Sequence, residues 1–143
     1  MIRTILAVLL LAAPAAADAP RCPPAVTAGA LKAFPGATIG PCKAEREGGR
    51  DRFELKLTTV AGDKLELDVA PDGAILQVEQ AIAVDALPQA VRAAFAARYP
   101  KARAAAAQKQ TAGKDVRYEI AFATDKGRKE ATFAADGAFV EEE

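Results

Sequence analysis

Two glutamates, each directly after an aromatic residue, are the first residues of this chain whose type and spacing could do chemistry. Glu54 follows Phe53, and Glu119 follows Tyr118, 65 positions later. Two carboxylates that share a site can exchange protons with a substrate. In both places, however, the alternation of apolar and polar residues puts the glutamate on the polar face of a strand, where a charge needs no special role. We therefore expect the two to lie far apart and predict no catalytic pair.

Absent residue types narrow the chemistry further. The chain contains no His, Ser, Asn or Trp. Histidine is the commonest group for proton transfer near neutral pH and the commonest metal ligand, so most hydrolase and zinc-site designs are excluded, together with serine nucleophiles. The acidic turns at Asp72 and Asp136 lack the alternating oxygen ligands of a calcium loop. We predict no enzyme activity, no catalytic or metal site, and no cofactor.

Cys22 and Cys42 are the only cysteines. In an exported chain a bridge between them would persist, and it would stabilise the fold by roughly 3 kcal/mol because it restricts the unfolded chain. The matching positions 65 residues later are Leu87 and Ala107, an apolar pair that could meet in the same place. We predict a structural disulfide, with a redox or a metal-binding role as the alternatives.

Residues 1–17 predict export. Arg3 supplies a basic start, an apolar core follows, and three alanines ending at Ala17 are typical of a cleavage site. The apolar run is too short to span a bilayer, so we expect no membrane insertion after cleavage and a periplasmic or secreted product. Lipid attachment at Cys22 is disfavoured, because the preceding Ala-Pro-Arg is not a small apolar run.

The charges of the chain are balanced. It carries 19 basic and 19 acidic residues. Such a balance gives no basic field for a phosphate backbone or an anionic membrane, so we expect no nucleic-acid partner. The length after cleavage suits one compact domain.

Sequence periodicity indicates helices followed by strands, twice. Apolar residues at helical spacing predict a first helix that ends before Pro35 and a second over residues 88–98. After each helix the period changes to two, with turns at Gly-Gly and Asp-Gly pairs. Strands are predicted at residues 37–45, 52–60, 64–70, 74–80, 102–109, 116–124, 128–134 and 138–142.

These elements predict an α+β fold class with two tandem repeats, each a helix packed on its own four-stranded antiparallel meander sheet. The repeats would cover residues 18–80 and 87–143. Residues 81–86 would form a packed connector, since Ile82 and Val84 are apolar at alternate positions. Neither repeat could bury much core alone, so we expect the two sheets to associate edge to edge or through the connector.

One set of short motifs resembles a known family. Leu87-Pro88-x-x-Val91, Tyr99-Pro100, Tyr118-Glu119-Ile120 and Asp136-Gly137 are similar to the PepSY-like family of exported bacterial proteins, whose fold is related to the repeats of beta-lactamase inhibitor protein. The resemblance implies an envelope or extracellular location and a role in binding or restraining other proteins, peptidases among them. Because this chain has no tryptophan, inhibition of beta-lactamases does not follow from it.

Small residues mark the polar face of the second predicted sheet. Such a patch, bordered by basic side chains, is a plausible partner site. Packing against the other repeat, the connector or the acidic tail 141–143 is the alternative. The patch is formed by Ala121, Ala123, Thr132 and Ala134, with Arg117, Arg128 and Lys129 at its border.

The function predicted from these observations is that of an exported, non-enzymatic binding module that holds or restrains a protein or peptide. The alternative is a structural or accessory envelope protein with no dedicated ligand.

Overall fold

Alternating apolar and polar residues form eight strands, and two short helices precede the first and the fifth. The computed structural model describes residues 22–143, so the predicted signal peptide and its cleavage near Ala17 lie outside the described residues. The elements, in chain order, are α1 (Pro24–Ala33), β1 (Thr38–Glu47), β2 (Arg50–Thr58), β3 (Lys64–Val69), β4 (Ile75–Ile82), a 3-10 turn (Val84–Ala86), α2 (Gln89–Arg98), β5 (Ala104–Ala112), β6 (Asp115–Thr124), β7 (Gly127–Ala134) and β8 (Phe139–Glu142).

The predicted fold class, with two tandem repeats on separate four-stranded sheets, is wrong. All eight strands form one antiparallel sheet in the order β1 to β8. β4 and β5 pair along five residue positions, from Val78 opposite Thr111 to Ile82 opposite Ala107. Both strands run beyond their predicted ends at residues 80 and 109, and unpaired backbone groups along a strand edge favour pairing. The sheet therefore continues where the sequence predicted a connector.

The residues of the predicted connector belong to ordered elements. Ala81 and Ile82 end β4, and Val84–Ala86 form the 3-10 turn that leads into α2. Ile82 and Val84 pack against the apolar core beneath α2. The segment is packed because its alternate apolar residues reach that core.

Both helices lie on the same face of the sheet. Leu65 in the core beneath α1 is opposite Gln80, Gln80 is opposite Lys109, and Lys109 is opposite Tyr118 beside the core beneath α2. Residues opposite each other in a ladder share a face, so this row joins the two cores. We call this side the helix face and the other side the open face.

Two apolar clusters fill the helix face. Beneath α1, Val26 and Ala30 are fully buried against leucines of β2 and β3. Beneath α2, the ring of Phe95 meets that of Phe122 edge-on, with centroids 5.2 Å apart, and Phe133 lies beside them. Each large apolar side chain buried in this way contributes about 1.5–3 kcal/mol.

The predicted disulfide is confirmed. Cys22 and Cys42 are bonded, with Cα atoms 5.5 Å apart, and they tie the start of α1 to β1. Leu87 and Ala107, at the matching positions of the other half, are both buried in the core beneath α2. No free cysteine occurs among residues 22–143.

Strand β8 is held at its edge of the sheet by side chains from the helix face. The carboxylate of Glu142 accepts hydrogen bonds from Tyr99 and Lys129. The guanidinium carbon of Arg98 lies 3.6 Å from the centre of the Phe139 ring, which is cation–π geometry. These contacts fix a strand of only four residues.

Candidate functional site

The open face of the sheet has no helix packed on it within the described residues. Its central row runs from Glu66 through Glu79 and Gln110 to Arg117, each opposite the next across neighbouring strands. A depression of about 440 Å³ lies on this face, and we call it the acidic trough. It is lined by Glu47, Arg52, Asp68, Gln77, Glu79, Gln110, Arg117, Glu119, Glu130, Thr132, Glu141 and Glu143.

The centre of the acidic trough is built from one strand pair and its neighbour. Glu79 on β4 and Glu119 on β6 flank Gln110 on β5, because alternation points all three to the open face. The amide nitrogen of Gln110 donates to Glu119 over 3.2 Å and to Glu79 over 3.5 Å. Gln77 donates a shorter bond of 2.7 Å to Glu79. Neutral amides therefore hold the two central carboxylates.

Half-burial raises the pKa of both central carboxylates. For Glu79 burial is the main cause, and repulsion from Glu66 and Asp68 adds to it. For Glu119 burial is again first, followed by repulsion from Glu130 and Glu79. Burial disfavours the charged form of an acid, and neighbouring negative charges do the same. A cation placed in the trough would favour the charged forms and so lower the pKa of both carboxylates.

The charge of the acidic trough is strongly one-sided. Seven of its lining residues are carboxylates and two are arginines. Arg52 pairs with Glu45 and Asp68, at 3.1 Å each, and also with Glu47. Arg117 pairs with Asp115 at 2.7 Å. Arg52 thus serves two carboxylates of the lining, and a third, Glu130, pairs with Arg128 at 2.9 Å. The other four carboxylates have no ion pair within residues 22–143, so the middle of the trough stays negative in a chain whose net charge is zero.

The trough carboxylates are spread out rather than gathered around one point. Within residues 22–143, no group of three acidic or cysteine side chains is placed to hold a metal ion. The arrangement suits several cationic groups distributed over a surface better than a single ion, which needs converging oxygen ligands.

A second depression of about 520 Å³ lies on the open face beside the trough and is more apolar. Its lining includes the small residues Gly40, Ala81 and Ala106, together with Lys56 and Lys64. Ala81 lies next to Glu79 on the same face of β4, so the two depressions adjoin. The open face therefore offers both charge and apolar surface.

The predicted partner patch also lies on the open face, as a diagonal stripe across β6 and β7. Ala121 and Thr132 are only 6% and 5% exposed, and Glu130 stands directly opposite Ala121 and Glu119 directly opposite Thr132. Ala123 is exposed opposite Arg128, and Ala134 is half-buried opposite Arg117. The partner role of these six residues stays a prediction, with Ala121 and Thr132 able to offer little surface.

One residue expected at the border of that patch lies elsewhere. Lys129 is opposite Phe122 and therefore on the helix face, where it pairs with Glu142. The alternation of β7 reverses its direction relative to Arg128.

The carboxylate pair considered in the sequence is not brought together. Glu54 on β2 and Glu119 on β6 are four strand spacings apart, which is about 19 Å. Sequence reasoning missed Glu79 and Gln110, the actual neighbours of Glu119. Their alternation pointed to a polar face. The β5–β6 hairpin places Gln110 beside Glu119, and only the pairing of β4 with β5 adds Glu79 to them.

The acidic turns are ordinary turns. The carboxylate of Asp72 accepts a hydrogen bond from the backbone N–H of Ala74, and Asp136 accepts one from Ala138. Such bonds are typical of aspartates that stabilise a hairpin turn.

Comparison with known proteins identifies the fold. No protein-family model matches the sequence, and no curated protein matches it. Among solved structures, a protein described as periplasmic from Bacteroides eggerthii has a TM-score of 0.70 at 15% identity, covering 87% of this chain and 89% of that one. A BLIP-like protein from Bacteroides fragilis has a TM-score of 0.68 at 17% identity, with 88% of each chain covered.

A DUF2874 family protein from Bacteroides uniformis is also similar, with a TM-score of 0.69 at 15% identity over 85% of this chain and 88% of that one. At such low identities the likeness shows the fold alone. The expected relation to BLIP-like proteins is supported at the level of fold, whereas the PepSY-like family is not named among these structures. No helix within residues 22–143 is long and apolar enough to cross a membrane.

Proposed function

We propose that this protein is a non-enzymatic binding module of the periplasm, whose acidic trough holds a positively charged segment of a protein or peptide. The observation that carries the proposal is the one-sided charge of the trough: four of its seven carboxylates, at positions 79, 119, 141 and 143, have no ion pair within residues 22–143, and its two arginines are already paired. A partner with lysine or arginine side chains gains charge-assisted hydrogen bonds there. The open sheet face supplies the space for it.

The shape of the open face favours a peptide or protein over a small cation. The carboxylates lie along several strands, and an apolar depression adjoins them. An extended segment with both basic and apolar side chains would contact both parts. Partners of this kind are commonly recognised through separate charged and apolar contacts along one surface.

The raised pKa values of Glu79 and Glu119 also support a binding role. Carboxylates that are half-buried without a cation destabilise the fold at neutral pH. Groups retained at such a cost are typical of functional sites. Binding of a basic segment would supply the missing counter-charge.

We further assign the protein to the PepSY-like family and expect its partner to be a protein that it restrains. Membership of the PepSY-like family is supported by the motifs around Pro88 and Tyr118, and the BLIP-like and periplasmic neighbours support a periplasmic location. The family resemblance favours a restraining role, with a peptidase among the partner classes. An accessory envelope role without a ligand is the competing function.

Calorimetric titration with two synthetic peptides tests the proposal. One peptide alternates Arg and Gly, and the other alternates Glu and Gly at the same length. We expect only the basic peptide to bind. The double variant Glu79→Gln/Glu119→Gln should bind it with an affinity at least about tenfold lower than that of wild type. Binding should weaken steeply with added salt, because exposed charges are screened.

The matched control removes two carboxylates that are exposed and outside the trough. The variant Asp85→Asn/Asp125→Asn changes the net charge by the same amount and should bind the basic peptide like wild type. Equal losses in both double variants would reduce the effect to net charge and overturn the proposed site. Failure of the basic peptide to bind, together with failure to recover a partner from envelope extract, would favour the accessory function.

A further inference from the structure

The two edges of the sheet differ in what they offer. β8 is four residues long and is fixed by contacts of Glu142 with Tyr99 and Lys129. β1 runs for ten residues, Thr38–Glu47, and pairs with β2 alone among the described strands. Its outer edge carries a row of backbone groups that can pair with another strand. A second extended strand is the ligand that such an edge accepts.

Alternating charges distinguish the outer half of β1. Lys43 and Glu45 lie on the open face, where their side chains form an ion pair of 2.7 Å, and Ala44 and Arg46 lie on the helix face. Charges of both signs at alternate positions allow a strand to complement itself when it runs antiparallel to a copy. We propose that β1 pairs antiparallel with β1 of a second copy of this chain, around a two-fold axis at Ala44.

Charge complementarity selects this register. In an antiparallel pair with two-fold symmetry, one residue must face itself and its neighbours must face each other in reverse order. An axis at Lys43, Glu45 or Arg46 places a charge against the same charge, which is unfavourable for directly opposite residues. An axis at Ala44 instead places Lys43 opposite Glu45 of the other copy, twice, and puts two methyl groups at the centre.

The irregular start of β1 is compatible with the same register. Pro41 lies in the bulge between Ile39 and Cys42, and it has no N–H to donate. With the axis at Ala44, Pro41 falls opposite Glu47 at the end of the shared ladder. The missing donor is then at the margin of the interface, and the residues from Cys42 onward form its continuous part.

The consequence of this pairing is a sheet of twice the width. Because the axis is perpendicular to the sheet, all helices of both copies lie on one side. The two open faces then form one continuous surface, with the trough of each copy available for a partner. This inference concerns a different surface from the acidic trough and stands independently of the proposed function.

Sedimentation velocity over a range of concentrations up to about 1 mM tests the pairing with two complementary variants, Ala44→Lys and Ala44→Asp. Ala44 is exposed, so both variants keep the monomer fold. We expect wild type to dimerise as its concentration rises. Each variant alone should dimerise at least about fivefold more weakly, because it faces its own charge at the axis, and an equimolar mixture of the two should recover the dimer.

The control variant Ala97→Lys places the same charge on an exposed position of α2 and should dimerise like wild type. Wild type that stays monomeric over the whole range would exclude a second copy as the occupant of β1. Dimerisation of Ala44→Lys as strong as that of wild type would place any dimer on another surface, and absence of recovery in the mixture would contradict the register.

Discussion

Glu79 and Glu119 show how single residues set the pH dependence of this fold. In the folded protein, burial and repulsion raise the pKa of each above the ordinary value of 4.5. Below pH 4.5 each carboxyl group is protonated in both the folded and the unfolded state, and in this pH range the raised pKa contributes its full stabilisation to the fold. As pH rises through the folded pKa, the stabilisation is lost, because the folded state must then ionise a half-buried group.

The variant Glu119→Gln should therefore raise the melting temperature at pH 7.5, by roughly 1–4 °C. The amide keeps the shape of the side chain and removes the repelled charge. The gain should shrink as the pH is lowered towards 4.5, where wild type also becomes neutral at this position. Melting curves followed by circular dichroism between pH 4 and pH 8 measure the difference.

Glu142 is the control of opposite sign. Hydrogen bonds from Lys129 and Tyr99 lower the pKa of Glu142, so its charge stabilises the fold at neutral pH. Glu142→Gln should lower the melting temperature at pH 7.5. A Glu119→Gln variant that also lowers it would show that the trough carboxylate is stabilising, contrary to our interpretation.

At the scale of elements, α1 is docked more closely than α2. A Cβ atom added at Gly29 would lie 1.9 Å from the carbonyl oxygen of Gly73, in the turn between β3 and β4. Gly73 has a φ of 90°, which glycine adopts without strain. In the other half Ala94 occupies the position that matches Gly29, with its methyl group near Gly137. The first helix therefore lies closer to its turn than α2 does, by about the width of a methyl group.

This difference predicts the effect of one methyl group. Gly29→Ala gains about 1 kcal/mol of helix propensity. The added methyl group forces the helix off the turn, and such overpacking typically costs about 1–3 kcal/mol, so we expect the variant to be less stable than wild type. The matched variant Ala94→Gly should lose about 1 kcal/mol through propensity alone. Urea unfolding of both proteins gives the two values. Stabilisation by Gly29→Ala would mean that α1 can shift without cost.

At the scale of the whole molecule, the continuous sheet couples the two apolar cores. The cores beneath α1 and α2 are separate clusters, but β4 and β5 join them through backbone hydrogen bonds. Small domains with such continuous structure usually unfold in a single transition. Damage to one core should then lower the stability of both halves.

The distribution of tyrosines makes this testable. Both tyrosines, Tyr99 and Tyr118, lie beside the core beneath α2, whereas Leu55 is fully buried in the core beneath α1. Leu55→Ala should destabilise the protein by about 2–5 kcal/mol. We expect the tyrosine near-ultraviolet signal of this variant to melt at the same lowered temperature as the far-ultraviolet signal. A tyrosine transition left at the wild-type temperature would show that the halves unfold independently.

The chain sequence by itself determined the local structure of this protein. The apolar period located both helices and all eight strands, with most boundaries within two residues of their prediction, because burial of one face imposes the period of each element. The disulfide followed equally directly, since Cys22 and Cys42 have no other cysteine to pair with. These features depend on neighbouring residues or on residue identity.

Only the tertiary structure decided that β4 and β5 join the strands into one sheet, which made the predicted fold class wrong. The acidic trough depends on the same contact, because only the pairing of β4 with β5 brings Glu79 beside Gln110, which the β5–β6 hairpin places next to Glu119. Period and composition show which face a residue occupies, but not which strand lies beside it. Pairing between distant segments is set by the free energy of the whole sheet, which local sequence does not specify.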